Sequence, residues 1–264
     1  MILVQISDLH VTRPATLLQG VVDTGAHLRQ VIAAICHLDP QPDCLVITGD
    51  LVENGRPDEY AELRDILSAY AAPLYVIPGN HDEREAFRAA FADQPWMPRR
   101  GPVQYTIEAH PLRLVALDTV VPGAPHGELD ESCLIWLEDR LAEQPQRPTV
   151  VLIHHPPFDT GIAHMDAMGL LQGRDALAAV IRRHAQVQAI LCGHVHRPIE
   201  TRFAGTLAAI CPSPAHQISL DLSAGGPAAF VMEPGGYRLW RWDGATLVAH
   251  TGVVGKFAGP YTYE

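Results

Sequence analysis

Five apolar, β-branched runs in this chain each stop at a residue able to ligate a cation, a repetition that narrows the possible folds sharply. ILVQIS precedes Asp8–Leu9–His10, CLVIT precedes Gly49–Asp50, and LYVIP precedes Gly79–Asn80–His81–Asp82. VVLI then precedes His154–His155, and AILC precedes Gly193–His194–Val195–His196. Short apolar runs of this kind, bounded by turn residues, read as buried strands. Between the first three lie helical patterns at about 26–38, at 57–70 opened by Pro57, and at 83–92. Strand and helix in alternation predict parallel strands joined by helical crossovers. Open α/β sheets place their ligand sites just beyond the carboxyl ends of such strands. Asp, Asn and imidazole donors at those ends read as a metal site, with more ligands than one ion takes.

Further along, the prolines of 93–102 predict a loop, and 104–108 with 112–117 a hairpin. A helix at 130–143, a strand at 149–153, a loop at 155–172, a helix at 173–184 and a strand at 188–192 follow. Past residue 198 the pattern changes to short strands at 199–203, 206–210, 216–222, 228–232, 237–242 and 246–251, read as antiparallel. The expected fold is α/β, with two sheets packed face to face and helices outside. A single domain spans 1–264, its last section (about 199–264) available for a cap or for oligomer contacts.

Composition excludes several classes. Hydrophobic residues make up 47% and charged residues 19%, a globular balance. A net charge of −11 argues against nucleic-acid polymers and anionic membranes as partners. A phosphate ligand would then need its positive charge from bound metal. No run approaches the ~20 apolar residues of a membrane span. The N-terminal run lacks a basic flank and meets Asp8 and His10 at once, unlike a signal peptide. Five cysteines without CxxC spacing suggest neither disulfides nor a thiolate zinc site, and the expected location is the cytoplasm.

The ordered blocks D-x-H, G-D, G-N-H-D, H and G-H-x-H, spread over about 190 residues, resemble those of the calcineurin-like metallophosphoesterase superfamily. The chain looks most like its bacterial class III cyclic nucleotide phosphodiesterases and glycerophosphodiesterases. ISDLH, GRPDEY, PLYVIPGNHD, HHPP, CPSPAHQISLDL and FAGPYTY carry that likeness, and GRPDEY and FAGPYTY favour the glycerophosphodiesterase branch. The resemblance implies a four-layer αββα sandwich of two mixed β-sheets flanked by helices. It implies two metal ions (Fe, Mn, Co or Zn) that hydrolyse a small phosphodiester through in-line attack of a metal-bound hydroxide. Two ions about 3.5–4 Å apart can clamp the attacking and leaving oxygens of such a displacement.

Carried over residue by residue, the first metal takes Asp8, His10, Asp50 and His196. The second takes Asp50, Asn80, His154 and His194, with Asp50 as the bridge. Asn80 contributes a neutral oxygen and also faces substrate. His81 stands beside the phosphoryl group as a hydrogen-bond donor and acid, its imidazole oriented by Glu53. Adjacent strand residues point oppositely, so only one of His154 and His155 should bind metal, and the resemblance implies that it is His154. His216 and Arg56 are further candidates for substrate contact. The loop segments Gly20–Asp23, His155–Gly173 and Pro212–His216 are expected to build the pocket, with 157–172 as a mobile lid. Asp82 is expected to cap the following helix with Glu85 as its partner. His27, His37, His110, His184 and His250 read as surface or packing residues. The aromatic tail KFAGPYTYE is expected to dock on its own core or on a second subunit, and the resemblance implies a homo-oligomer. Two alternatives share the core: a phosphomonoesterase or nucleotide pyrophosphatase, and a non-catalytic scaffold, which would show lost ligands.

Overall fold

The structure is a computed structural model describing residues 1–263. The alternating first section is β1 (Ile2–Ile6), α1 (Thr24–Cys36), β2 (Cys44–Thr48), α2 (Pro57–Leu67), β3 (Leu74–Ile77) and α3 (Arg84–Ala90). Then come β4 (Tyr105–Ile107), β5 (Arg113–Ala116), β6 (Gly127–Glu128), α4 (Glu131–Glu143) and β7 (Thr149–Leu152). They lead to α5 (Ala163–Asp166), β8 (Leu170–Gln172), α6 (Arg174–Arg183) and β9 (Val187–Cys192). The chain continues through β10 (Ile199–Phe203), β11 (Thr206–Ile210), β12 (Gln217–Ile218), β13 (Phe230–Val231), β14 (Gly236–Trp242) and β15 (Leu247–Val253). Helix starts follow capping chemistry: Asp23 accepts from the Ala26 amide at 2.9 Å, and Asp130 accepts from the Cys133 amide at 2.8 Å.

Two mixed sheets carry the molecule, in the orders β15-β14-β1-β2-β3 and β10-β11-β9-β7-β5-β4. β1, β2 and β3 are parallel, as the crossover helices require, and β14 closes antiparallel on β1. In the second sheet the two-residue period separates two buried faces. Leu114, Ala116, Val150, Leu152, Ala189 and Leu191 join the core shared with the first sheet. Their sequence neighbours Val115, Val151 and Ile190 turn outward to Leu137 and Leu141 of α4 and Leu177 and Ile181 of α6. Leu28, Ile32, Tyr60 and Leu63 cover the first sheet's side, completing four layers, αββα.

One buried polar side chain crosses between the sheets beneath the strand ends. Gln5 Nε2 donates to Thr48 Oγ1 at 2.9 Å and to the Cys192 carbonyl at 3.0 Å, while its Oε1 accepts from Trp240 Nε1 at 3.1 Å. Every hydrogen bond in that group is satisfied, so burial of the amide is tolerated and fixes how β1, β2, β9 and β14 meet.

Four expectations change. The section after residue 198 is not purely antiparallel, because β11 pairs parallel with β9 after β10 has turned to the sheet edge. Segments 216–222 and 228–232 shrink to the short pair β12–β13, since Leu220 and Leu222 find no core and stay exposed. The segment 155–172, expected as a loop, contains regular structure. It holds α5 and β8, buries Ile162, Met165 and Leu170, pairs β8 with β6, and ties Thr160 to Asp166 by hydrogen bonds of 2.6 and 2.7 Å. The tail does not dock on its own core either: Phe257, Tyr261 and Tyr263 are all exposed.

Candidate metal centre

The strand ends of both sheets converge, and the ladder extends beyond them into the turns that bear the donors. The Asp8 amide donates to the Gly49 carbonyl and the His10 amide to the Asp50 carbonyl, each at 3.0 Å. The His194 amide donates to both Asp8 carboxylate oxygens, at 2.8 and 3.0 Å, which ties the β9 turn to the β1 turn. Asp8, His10, Asp50, His194 and His196 all have positive φ, between 46° and 76°. A side chain there costs roughly 1–2 kcal/mol per residue, and strain of this kind gathers at functional sites. Glycine is obligatory next to them. A Cβ on Gly49 (φ +98°) would lie 2.2 Å from His154 Nδ1, and one on Gly193 would lie 2.1 Å from Ser7 Oγ.

Second contacts aim three imidazoles at one centre. His10 Nδ1 meets Glu53 Oε2 at 2.8 Å, His154 Nδ1 donates to the Thr48 carbonyl at 2.8 Å, and His196 Nδ1 donates to the His216 carbonyl at 3.3 Å. Holding Nδ1 in this way fixes the tautomer and leaves Nε2 for a ligand, the usual arrangement around a bound metal. The free atoms do converge: His10 Nε2 lies 3.2 Å from His196 Nε2, and Asp50 Oδ2 lies 3.6 Å from His10 Nε2 and 3.3 Å from His154 Nε2. Asn80 Oδ1 sits 3.2 Å from His154 Nε2 and 3.1 Å from His194 Nδ1. Asp8 Oδ1 is 3.6 Å from His196 Nε2. All seven residues proposed from the sequence as ligands are therefore drawn together.

Electrostatics test whether this donor set suits a cation. Burial disfavours a charged Asp50, yet the nearby His154 and His81 charges hold its carboxyl well below the usual range. Burial pushes the Asp8 carboxyl up to about 6, against the pull of His154. Burial likewise opposes charge on His10, but the Glu53 hydrogen bond and the Asp50 charge carry its pKa up to about 9. His154 follows the same balance to about 9, with Asp50 overcoming burial. Burial, then the His154 charge, takes His194 down to about 3, and burial with His10 takes His196 well below the ordinary value. His194 Nε2 is buried without a hydrogen-bond partner. Carboxylates, neutral imidazoles and an amide oxygen pointing inward fit a divalent metal centre.

The remaining residues sort by position. His81 donates its amide to Asp50 Oδ1 at 2.9 Å and its Nδ1 hydrogen to the Glu53 carbonyl at 2.9 Å, so Nε2 is its free ring atom at the cavity. The expected Glu53–His81 carboxylate pairing is corrected here. The Glu53 side chain goes to His10, and it is the Glu53 backbone that orients His81. His155 is occupied at both nitrogens, by Thr119 Oγ1 at 2.8 Å and the Pro125 carbonyl at 3.2 Å. His216 lines the cavity, its Nδ1 buried without a partner and its pKa lowered to about 4 by burial and the His10 charge.

Two expectations fail. Arg56 does not reach the cavity; it stands exposed at the start of α2 and pairs with Asp58 at 3.0 Å. Asp82 does not cap α3, whose amides bond to Glu83 instead. Asp82 is buried and accepts from the Leu51 and Gly79 amides and from Tyr60 Oη, which braces the turn bearing Asn80 and His81. Sequence reading missed the β12–β13 hairpin as a pocket wall, although Ile218, Ala228, Ala229 and Phe230 line the cavity. Its apolar residues resembled ordinary strand positions.

A protein of Arcobacter nitrofigilis named probable glycerophosphodiester phosphodiesterase is 38% identical over the full chain and 97% of its own length. The glycerophosphodiester phosphodiesterase of Enterobacter lignolyticus is 32% identical over the full chain and 95% of its length. The 3′,5′-cyclic adenosine monophosphate phosphodiesterase of Escherichia coli is 31% identical, covering 80% of this chain and 75% of its own. A dimetal phosphatase from Danio rerio has the same fold, with a TM-score of 0.63 at 14% identity over 97% of this chain and 99% of its own. Residues 1–198 match the family model for the calcineurin-like phosphoesterases, and the chain belongs to that family.

Proposed function

We propose that this protein is a binuclear metal-dependent phosphodiesterase acting on small diesters of the glycerophosphodiester or cyclic nucleotide kind. The observation that carries the reading is Asp50 Oδ2, placed between His10 Nε2 and His154 Nε2 at 3.6 and 3.3 Å, as a carboxylate bridging two ions would be. In this assignment Asp8, His10, Asp50 and His196 would hold one ion, and Asp50, Asn80, His154 and His194 would hold the other. When bound, the ions supply Lewis acidity that neutralises charge on the phosphoryl oxygens. The chain's own groups do the rest. Asn80 and His216 contact the phosphate. His81, anchored through Nδ1, holds a proton at Nε2 for the departing alcohol oxygen. The names and extents of the relatives support a diester substrate.

Hydrolysis of bis(p-nitrophenyl) phosphate against p-nitrophenyl phosphate, by metal-free protein reloaded with Mn²⁺, tests the reaction. Faster diester cleavage is expected. A preference for the monoester makes the enzyme a phosphatase, and cleavage of neither overturns the reading.

Glu53 supplies a second test. Its carboxylate fixes His10 Nδ1, so Glu53→Gln is expected to weaken metal retention by about 10- to 100-fold, the range for such outer contacts. Metal titration followed by calorimetry measures this, and unchanged affinity would detach Glu53 from the centre. The reading also takes 1–264 as one domain that forms a homo-oligomer through the exposed aromatic tail; a monomer mass by light scattering would remove that part. Among the described residues no helix is long and apolar enough to cross a membrane.

A further inference from the structure

The cavity over the donor cluster has two chemically different sides. Its floor is the imidazole and carboxylate set, and its volume is about 470 Å³. The rest of the lining is largely apolar, with Leu18, Met165, Met168, Phe230 and the 218–229 hairpin residues, and Gln19 and His164 as its polar members. Among the described residues no Lys or Arg lines the cavity, although the chain has 19 of them. The nearby arginines are committed elsewhere, Arg56 to Asp58 and Arg84 to Asp118 at 2.7 Å.

Met168 and Phe230 both line the cavity that the donor cluster also lines. Met168 follows α5, whose Met165 is anchored in the core of the second sheet. Phe230 stands edge-on to His216 at 5.2 Å between ring centroids, and His216 is 4.6 Å from His196. A phosphate seated on the floor would present one ester substituent to this wall.

The geometry points to Met165, Met168 and Phe230 as specificity-determining residues that receive a planar, uncharged ester substituent such as a nucleobase or aryl ring. This deepens the phosphodiesterase reading and rests on it. Thioethers and an aromatic ring contact a flat ring favourably on its faces and edges. A cavity of this size belongs with sites that enclose most of a nucleoside-sized ligand. A small polyol or amine headgroup would leave the thioether wall without a partner. A dianionic or polyphosphate substituent would meet no fixed cation there, and desolvating it uncompensated is costly. Gln19 and His164 supply hydrogen bonds suited to the heteroatoms of a base. The wall thus favours cyclic nucleotides and aryl diesters over glycerol-headed diesters.

The test has one arm that needs neither metal nor turnover. Protein carrying ¹³C-methyl methionine is titrated with adenosine, with Met→Leu variants for assignment. The Met165 and Met168 methyl signals are expected to shift upfield and saturate while Met1 and Met97 stay fixed, and glycerol is expected to move none. Failure of Met165 and Met168 to move overturns the wall, whatever the catalytic result. In the second arm, Mn²⁺-loaded protein is compared on 3′,5′-cyclic AMP and glycerophosphoethanolamine. Phe230→Ala and, separately, Met168→Ala are expected to lower kcat/KM for cyclic AMP by roughly tenfold, chiefly through KM, and to leave the glycerol-headed diester within about twofold. Equal losses on both substrates, or a wild-type preference for glycerophosphoethanolamine, would overturn the inference. Cleavage of no diester with the methionine shifts intact would instead sink the phosphodiesterase reading and leave a ring-binding wall.

Discussion

An Asp50→Asn variant is expected to lose phosphodiesterase turnover by about 10³-fold or more, because the replaced oxygen is the common neighbour of both halves of the centre. The substitution is isosteric, and Asn tolerates the left-handed backbone that Asp50 adopts at φ +50°. The amide oxygen can still accept the His81 amide now bonded to Oδ1 at 2.9 Å. Fold and turn therefore persist, and what disappears is the charge between His10 and His154. Its NH₂ group would point at Nε2 atoms that need an electron-pair acceptor, so metal content should fall together with turnover. Elemental analysis and diester hydrolysis on the same preparation check both. Retention of more than a few per cent of wild-type activity with full metal content would remove Asp50 from the bridging role.

His81→Ala should separate chemistry from metal binding. The imidazole makes one side-chain hydrogen bond, from Nδ1 to the Glu53 carbonyl, and its other nitrogen serves no structural partner among the described residues. Removing it leaves a carbonyl at the cavity edge that water can reach, so stability changes little. Turnover is expected to drop by about 10²–10⁴-fold, the range for a positioned acid or base, with metal content unchanged. The loss should be smaller for diesters with good leaving groups such as p-nitrophenol, which need little protonation. His81 also lies close enough to His10 and Glu53 to be a ligand in a different arrangement. Metal loss in His81→Ala would establish that arrangement in place of the acid role.

Much of the centre was legible from local chemistry. Each donor block follows a run whose β-branched residues fit only a buried strand, and strand ends in a parallel sheet share one side of the molecule. That logic placed the donor blocks together at the strand ends, and the family resemblance selected Asp8, His10, Asp50, Asn80, His154, His194 and His196 among them. Strand alternation said only that one of His154 and His155 should face the centre, and the family resemblance pointed to His154.

Where it failed, the answer depended on contacts between distant segments. Glu53 had two imidazoles within reach, His10 at 2.8 Å and His81 at 3.5 Å, and only the packed turn decided which one its carboxylate would take. Asp82 looked like a helix cap by spacing, but the Leu51 amide and Tyr60 hydroxyl, 31 and 22 residues away, drew it inward. Arg56 looked like a phosphate partner until α2 carried it to the surface beside Asp58.

The sequence by itself determined which donor residues stand at the carboxyl ends of the strands, and that their side chains are of the kinds that can ligate a cation. The sequence pointed to His155–Gly173 as a pocket loop, and only the tertiary structure added Leu18 and the β12–β13 hairpin with Phe230 to the same cavity. Ligand blocks are local, fixed by a strand and its turn. A pocket wall is set by how separate loops pack over the floor, and one-dimensional spacing holds no record of that packing.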